Sequence, residues 1–296
     1  MEHRTVDLDG PVHYADFGGS GRPIVLVHGL GGSHLNWLPV APALAAHGRV
    51  FAVDLVGHGL TRSFGRSARV SANRRLLGRF LEKVAGGPAV LVGNSMGGYL
   101  SLAEAAAEPA RVASLVLVAP AVPTAAGALF DRHVLALFAG AALPLAGGLL
   151  VDWRRRRGPD QLVRDMLALC CVDARRIAEG VVRAHVDLAG ERAGFGREVT
   201  RDFLAAQRSL MARLLRRRQF RALVASIPSP ALIVQGRRDR LVRVEAARAL
   251  AALRPDWRLE ELSDIGHVPQ LEAPERFLSL VAPWLASVQR RNGPAS

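Results

Sequence analysis

Four short apolar runs, each closed by a turn rich in glycine or proline, organise the N-terminal part of the chain. Ile24–Val27 runs into HGLGG, Val50–Val53 into DLVGHG, Ala89–Val92 into GNSMGG and Leu115–Val118 into APAVP. Their interiors are apolar at every position, as expected of strands covered on both faces. The stretches between them, Pro39–Ala46, Ser71–Ala85 and Gly98–Glu108, read as helices. Ala231–Gln235 and Trp257–Leu262 are later strands, separated by a helix over Val244–Leu253, and a last helix fits Pro274–Val288. Strand–helix alternation of this kind predicts an α/β fold with a mostly parallel sheet and helices on both faces.

The alternation breaks between about Val122 and Ser226. No β-branched run of strand length occurs there, and the segment reads as helices over Val134–Leu143, Asp160–Cys171, Ala174–Leu188 and Val199–Leu215. A connection of roughly a hundred residues is too long for a loop. The expected organisation is therefore a core of residues 1–121 and 226–296, with residues 122–225 as a helical lid. A lid inserted there lies above the carboxyl ends of the strands, where open α/β sheets bind ligands. Val134–Val151 reaches the length of a membrane span. Pro144 and the Gly147–Gly148 pair interrupt it, so a lid segment facing an apolar pocket is the better reading.

Composition changes this picture little. Half of the 296 residues are apolar, enough for a sizeable core. The net charge of +13 raises the question of anionic partners. However, Lys83 is the only lysine, and the arginines are scattered apart from Arg154–Arg157 and Arg216–Arg218. Such a skew resembles codon bias more than a phosphate-binding face. No zinc-finger spacing or basic heptad supports nucleic-acid binding, and none is expected. The two cysteines, Cys170 and Cys171, are adjacent and make no disulfide framework. With no apolar leader in MEHRTVDLDG, a reducing, cytoplasmic setting is expected.

The chemistry concentrates at Gly93-Asn94-Ser95-Met96-Gly97, which meets the pattern G-x-S-x-G between a strand and a helix. A sharp strand-to-helix turn lifts the serine above the sheet, and small neighbours are needed to avoid clashes. The bland alternative is a glycine-rich turn in which Ser95 only caps the helix. A serine nucleophile also needs a histidine base held by a carboxylate. His267, in SDIGHVPQLEAPERF, follows the last strand. Asp239, in ALIVQGRRDRLV, follows the strand before it. All three positions fall on one rim of the sheet, in the order Ser95, Asp239, His267. The backbone N–H groups of Met96 and Leu30 are the expected oxyanion donors, with Gly29 or Gly31 taking the second place if the loop is shifted. His28 and His58 read as structural residues that bond backbone across their loops.

HGLGG, DLVGHGLT, GNSMGG, GRRDRLV and IGHVPQLEAPE, in this order, resemble the signatures of the α/β-hydrolase superfamily in its HG-x branch. The resemblance covers about Pro23–Ala121 and Ser226–Leu285. It implies a sheet of about eight strands, a helical lid after strand six, a Ser–Asp–His triad, and no cofactor or metal. Thr61 stands where the family's DxxGHGxS pattern usually has serine, and the lid matches no named pattern.

Serine at position 95 argues against the dehalogenase and epoxide-hydrolase branches, which carry aspartate there. The elbow resembles that of hydrolases that cleave carbon–carbon bonds in ring-cleavage products. Those usually show HGxGPG where this chain has HGLGGS. Acyltransferases and perhydrolases use the same triad, and some members of the fold are receptors. Hydrolysis of a carboxylic ester with an apolar acyl chain is the default expectation. The partner would be a small ester, and the arginines after Val151 could bring the lid against a lipid surface.

Overall fold

The computed structural model describes residues 1–123 and 146–291. An eight-stranded sheet runs through it in the order β1-β2-β4-β3-β5-β6-β7-β8. The strands are β1 (Glu2–Asp7), β2 (Pro11–Gly18), β3 (Pro23–Val27), β4 (Arg49–Val53), β5 (Ala89–Asn94), β6 (Val112–Val118), β7 (Ala231–Gly236) and β8 (Arg258–Leu262). β1 and β2 form an antiparallel hairpin and β2 is antiparallel to β4; from β4 onward every pairing is parallel. β1 and β2 are additions to the sequence reading. β1 carries Glu2, His3 and Arg4 at an exposed edge, so it lacks the apolar run that marks the interior strands.

The described helices are α1 (Ala41–Leu44), α2 (Val70–Phe80), α3 (Met96–Ala107), α4 (Ala146–Arg156), α5 (Pro159–Cys170), α6 (Glu179–Ala193), α7 (Arg197–Leu214), α8 (Arg217–Ala225), α9 (Val244–Leu253), α10 (Pro269–Glu272) and α11 (Pro274–Arg291). The expected helix over Ser71–Ala85 divides into α2 and a π-helical turn over Leu81–Ala85, closed by Gly86 at a φ of 72°. The helix expected over Pro39–Ala46 is a single α-turn continued by a 3₁₀ turn. Two apolar layers cover the sheet. One packs α2, α3 and α9 against side chains such as Val25, Leu91 and Leu115; the other packs α11 against Leu26, Val92 and Val116. Alternate residues of one strand thus enter opposite cores.

Residues 146–225 form helices joined by short turns and loops. The helix expected over Val134–Leu143 lies outside the described residues. Among those that are described, no helix is long and apolar enough to cross a membrane.

β3 neighbours β4 on one side and β5 on the other. The chain therefore leaves β3 and β5 in opposite directions across the sheet. A crevice opens at the carboxyl ends of strands where the order reverses in this way. The HGLGG loop and the GNSMGG turn, which follow these two strands, meet at that point.

Candidate active site

Ser95 lies between the last residue of β5 and the first of α3, at φ 53° and ψ −114°. A non-glycine residue held there is strained by about 1–3 kcal/mol. The turn is over-determined by its surroundings. Ser95 N–H donates to the Val118 carbonyl at 3.0 Å, and the Ser95 carbonyl accepts from Ala121 at 3.0 Å and Tyr99 at 3.1 Å. The surrounding glycines answer to space. A Cβ on Gly97 would stand 2.0 Å from the Val27 carbonyl oxygen, and one on Gly93 would stand 2.5 Å from that of Gly97. Gly29, across the crevice, would place a Cβ 3.1 Å from Ser95 Cβ. The HG loop and the serine turn are thus packed backbone to backbone.

His267 sits in the loop between β8 and α10, and Asp239 in the loop after β7; both are buried. His267 Nδ1 is 2.7 Å from Asp239 Oδ2. A carboxylate can only accept, so Nδ1 carries the proton and Nε2 is left to take one. Asp239 is itself fixed. Its Oδ1 accepts from Leu241 N–H at 2.8 Å and Val242 N–H at 2.9 Å, and its Oδ2 accepts from Gln235 Nε2 at 3.0 Å. Asn94, next to the serine, donates from Nδ2 to the His267 carbonyl at 3.1 Å. This bond ties the histidine loop to the β5 end.

Ser95, His267, Leu30 and the Gly29–Gly32 backbone line a cavity of about 320 Å³. Its other wall belongs to the helices between β6 and β7, with Leu162, Met166, Leu188 and Phe203 among the lining residues. Met96 is the first residue of α3, and the first N–H groups of a helix have no acceptor within it. The same helix end favours negative charge. A carbonyl in this cavity would meet a hydroxyl, a histidine–carboxylate pair and oriented N–H groups.

Both loop histidines bond backbone, and His58 also lines the cavity. His28 Nδ1 donates to the Gly29 carbonyl at 2.7 Å, and Nε2 accepts from Leu55 N–H at 3.1 Å. Both ring nitrogens are occupied, and burial pushes the pKa down to about 4. His58 donates from Nδ1 to Val56, and burial lowers its pKa to about 3.

Arg192, on α6, was not legible as a site residue. It lines the cavity and donates to the carbonyls of Gly57, at 2.8 Å, and Gly59. No carboxylate lies within 4 Å of it among the described residues. In sequence it is one arginine among 38, and only the fold singles it out. The Arg154–Arg157 run is less free than it reads. Arg154 and Arg155 line the cavity, and Arg157 pairs with Asp165 at 3.1 Å. Cys170 and Cys171 are free thiols. Burial pushes Cys170 up to about 12, so it is no rival nucleophile.

The chain is similar to known hydrolases along nearly its whole length. A 2-hydroxy-6-oxononadienedioate/2-hydroxy-6-oxononatrienedioate hydrolase of Pseudomonas putida is 29% identical over 95% of this chain and 94% of its own. A 2-hydroxy-6-oxo-2,4-heptadienoate hydrolase of Pseudomonas putida is 30% identical over 91% of both chains. Among solved structures, a bacterial membrane phospholipase A superposes with a TM-score of 0.71, at 25% identity over 99% of this chain and 87% of its own. The family profile described as "Alpha/beta hydrolase family" matches residues 24–280, and the chain belongs to that family.

Proposed function

We propose that this chain is a serine hydrolase in which Ser95 is the nucleophile, His267 the general base and acid, and Asp239 the residue that fixes the His267 tautomer. Leu30 and Met96 supply the oxyanion N–H groups, and residues 122–225 act as the lid over the site. The substrate class that fits best is a 2-hydroxy-6-oxo-dienoate, cleaved at the carbon–carbon bond beside its ketone. One observation carries the choice over a simple ester: Arg192, which has no carboxylate within 4 Å among the described residues and only the more distant Asp54, Asp202 and Glu198 acting on it, joins Arg154 and Arg155 in lining a cavity whose other walls are largely apolar. A substrate with an apolar body and a carboxylate would complete that charge. Near full-length similarity to two dienoate hydrolases supports the same class.

In this reading the steps run as follows. Ser95 Oγ bonds to the ketone carbon while its proton passes to His267 Nε2. The negative oxygen turns to the N–H groups of Leu30 and Met96, each worth about 2.7–4 kcal/mol at such a site. Collapse breaks the carbon–carbon bond. This step uses the 2,6-dioxo form of the substrate, in which the 2-hydroxyl proton has moved to C5. The electron pair therefore delocalises into the unsaturated 2-ketone as a dienolate, which takes the proton from His267. Water, deprotonated by His267, then attacks the acyl group on Ser95 and releases the acid.

Ester hydrolysis needs the same residues, with an alkoxide as leaving group, and the apolar cavity favours it as a second reading. Leu149 and Trp153 stand exposed on α4 beside the arginines. This supports contact with an anionic lipid surface under that reading. The test is a comparison of synthetic 2-hydroxy-6-oxo-dienoates, followed by loss of their absorbance, with p-nitrophenyl esters from acetate to palmitate. Ser95→Ala serves as control. Higher kcat/KM for a dienoate, abolished in the variant, is expected. Turnover of esters alone would leave the esterase reading. Activity that survives in Ser95→Ala would overturn both.

A further inference from the structure

Three histidines that do not line the cavity meet at the β1 edge of the sheet. In the β1–β2 hairpin Thr5 faces His13 and His3 faces Ala15. His3 and His13 are therefore diagonal neighbours on one face of the hairpin. His34 arrives from the 3₁₀ turn His34–Trp37 after the HG loop. The ring centroids are 5.1 Å apart for His3 and His13, 4.7 Å for His13 and His34, and 5.4 Å for His3 and His34. One ligand nitrogen from each ring lies within 4.8 Å of the other two.

Behind them sits Asp54, fully buried at the end of β4. Its Oδ2 is 2.8 Å from His13 Nδ1 and 2.9 Å from His34 Nδ1, and its Oδ1 accepts from His34 N–H at 2.7 Å. The carboxylate accepts, so both Nδ1 atoms carry protons. The remaining nitrogen of His13, Nε2, faces His3 Nδ1 at 2.9 Å. Imidazoles whose far nitrogen is bonded to a carboxylate are oriented and made more basic as metal ligands.

We propose that His3, His13 and His34 form a binding site for a zinc-class divalent ion, with Asp54 orienting two of the three ligands. Imidazole donors suit zinc, copper and nickel, and three protein ligands leave a fourth position for water. Ligands about 2.0–2.1 Å from zinc in a tetrahedron stand roughly 3.3 Å apart, so the 2.9 Å His3–His13 pair must open and separations of up to 4.8 Å must close. His3 is the member able to move, because it is exposed on an edge strand with one neighbour. The site is separate from Ser95 and stands whether or not the proposed reaction is correct.

The test is equilibrium dialysis of the untagged full-length chain against Zn²⁺, with metal quantified in the protein, beside thermal melts with and without Zn²⁺. One zinc per chain and a raised melting temperature are expected. His3→Ala and His13→Gln should each weaken binding at least tenfold and lose the thermal shift, while His47→Ala, outside the cluster, binds like wild type. Because His3 is exposed, its variant should melt like wild type without metal. No zinc bound by the wild type, or binding unchanged in His3→Ala, would overturn the site. Equal loss in His47→Ala would do so too, by placing the ion elsewhere.

Discussion

The backbone N–H of His267 donates to the carbonyl oxygen of Cys170 at 2.6 Å. This joins the proposed base to the last turn of α5 in the helical insertion. Glu272 fastens the same joint. Its buried carboxylate accepts from Gly266 N–H at 2.8 Å and from Val172 and Asp173 N–H at 2.9 Å each. The insertion is thereby tied to the proposed base through backbone, independently of any substrate.

Glu272→Ala should accordingly cost about 3 kcal/mol, since one buried and two part-buried donors lose their charged acceptor. Urea unfolding measures the loss. Where the variant stays folded, kcat should fall more than KM rises, because the acceptor position of His267 shifts while the cavity wall remains. Unchanged kcat would separate the joint from catalysis.

Ser95→Gly should be inactive yet more stable than Ser95→Ala by about 1 kcal/mol. Glycine tolerates the backbone angles that alanine must keep under strain. Denaturation of the two variants side by side decides this, and equal stabilities would mean that the turn relaxes.

Gly97→Ala should destabilise severely, by about 4 kcal/mol or more. Its Cβ would meet the Val27 carbonyl, which is backbone of a central strand and cannot step aside. Expression yield and thermal melting report the result.

Stability should fall as pH drops from about 6.5 to 4, before most carboxylates titrate. His28 and His58 are held near 4 and 3 by burial, so in that window the unfolded chain takes protons that the folded chain refuses. The effect is absent above about pH 6.5 and levels off below the folded-state values. Melting temperatures across this range should show the slope, and His58→Gln should flatten it.

Arg192→Gln should raise KM for a carboxylated substrate at least tenfold and leave neutral p-nitrophenyl esters little changed. Steady-state kinetics on both classes measure the contrast. Parallel losses on both would assign Arg192 to holding the Gly57–Gly59 turn instead.

What could be read from the sequence follows physical rules. The interior strands were visible because both faces are buried, which leaves unbroken apolar runs such as Ala89–Val92. The serine turn was visible because steric demands on three glycines leave a local imprint. β1 and β2 were not visible. One is a polar edge, and the other reads PVHYADFG, with polar residues spread among apolar ones. The division at Leu81 escaped because the apolar positions Leu76, Leu77, Phe80, Leu81 and Val84 keep α-helical spacing across it. Arg192 and the histidine cluster escaped for another reason. Their significance lies in contacts between residues far apart in the chain, 41 positions for His13 and Asp54, and no local pattern encodes such a meeting.

The pairing of β6 with β7, Leu115 with Ala231 through Val118 with Val234, closes a loop of more than a hundred residues. Closure entropy grows only with the logarithm of loop length, about 0.6 kcal/mol for each doubling. The sheet register is set by the strands themselves, so the core is nearly indifferent to how much chain is stored above it. Exchange of the segment for one of different length should cost the core little, provided an acceptor for His267 N–H and partners for Glu272 are rebuilt. These few bonds, more than the length of the insertion, limit how freely the scaffold can be refitted.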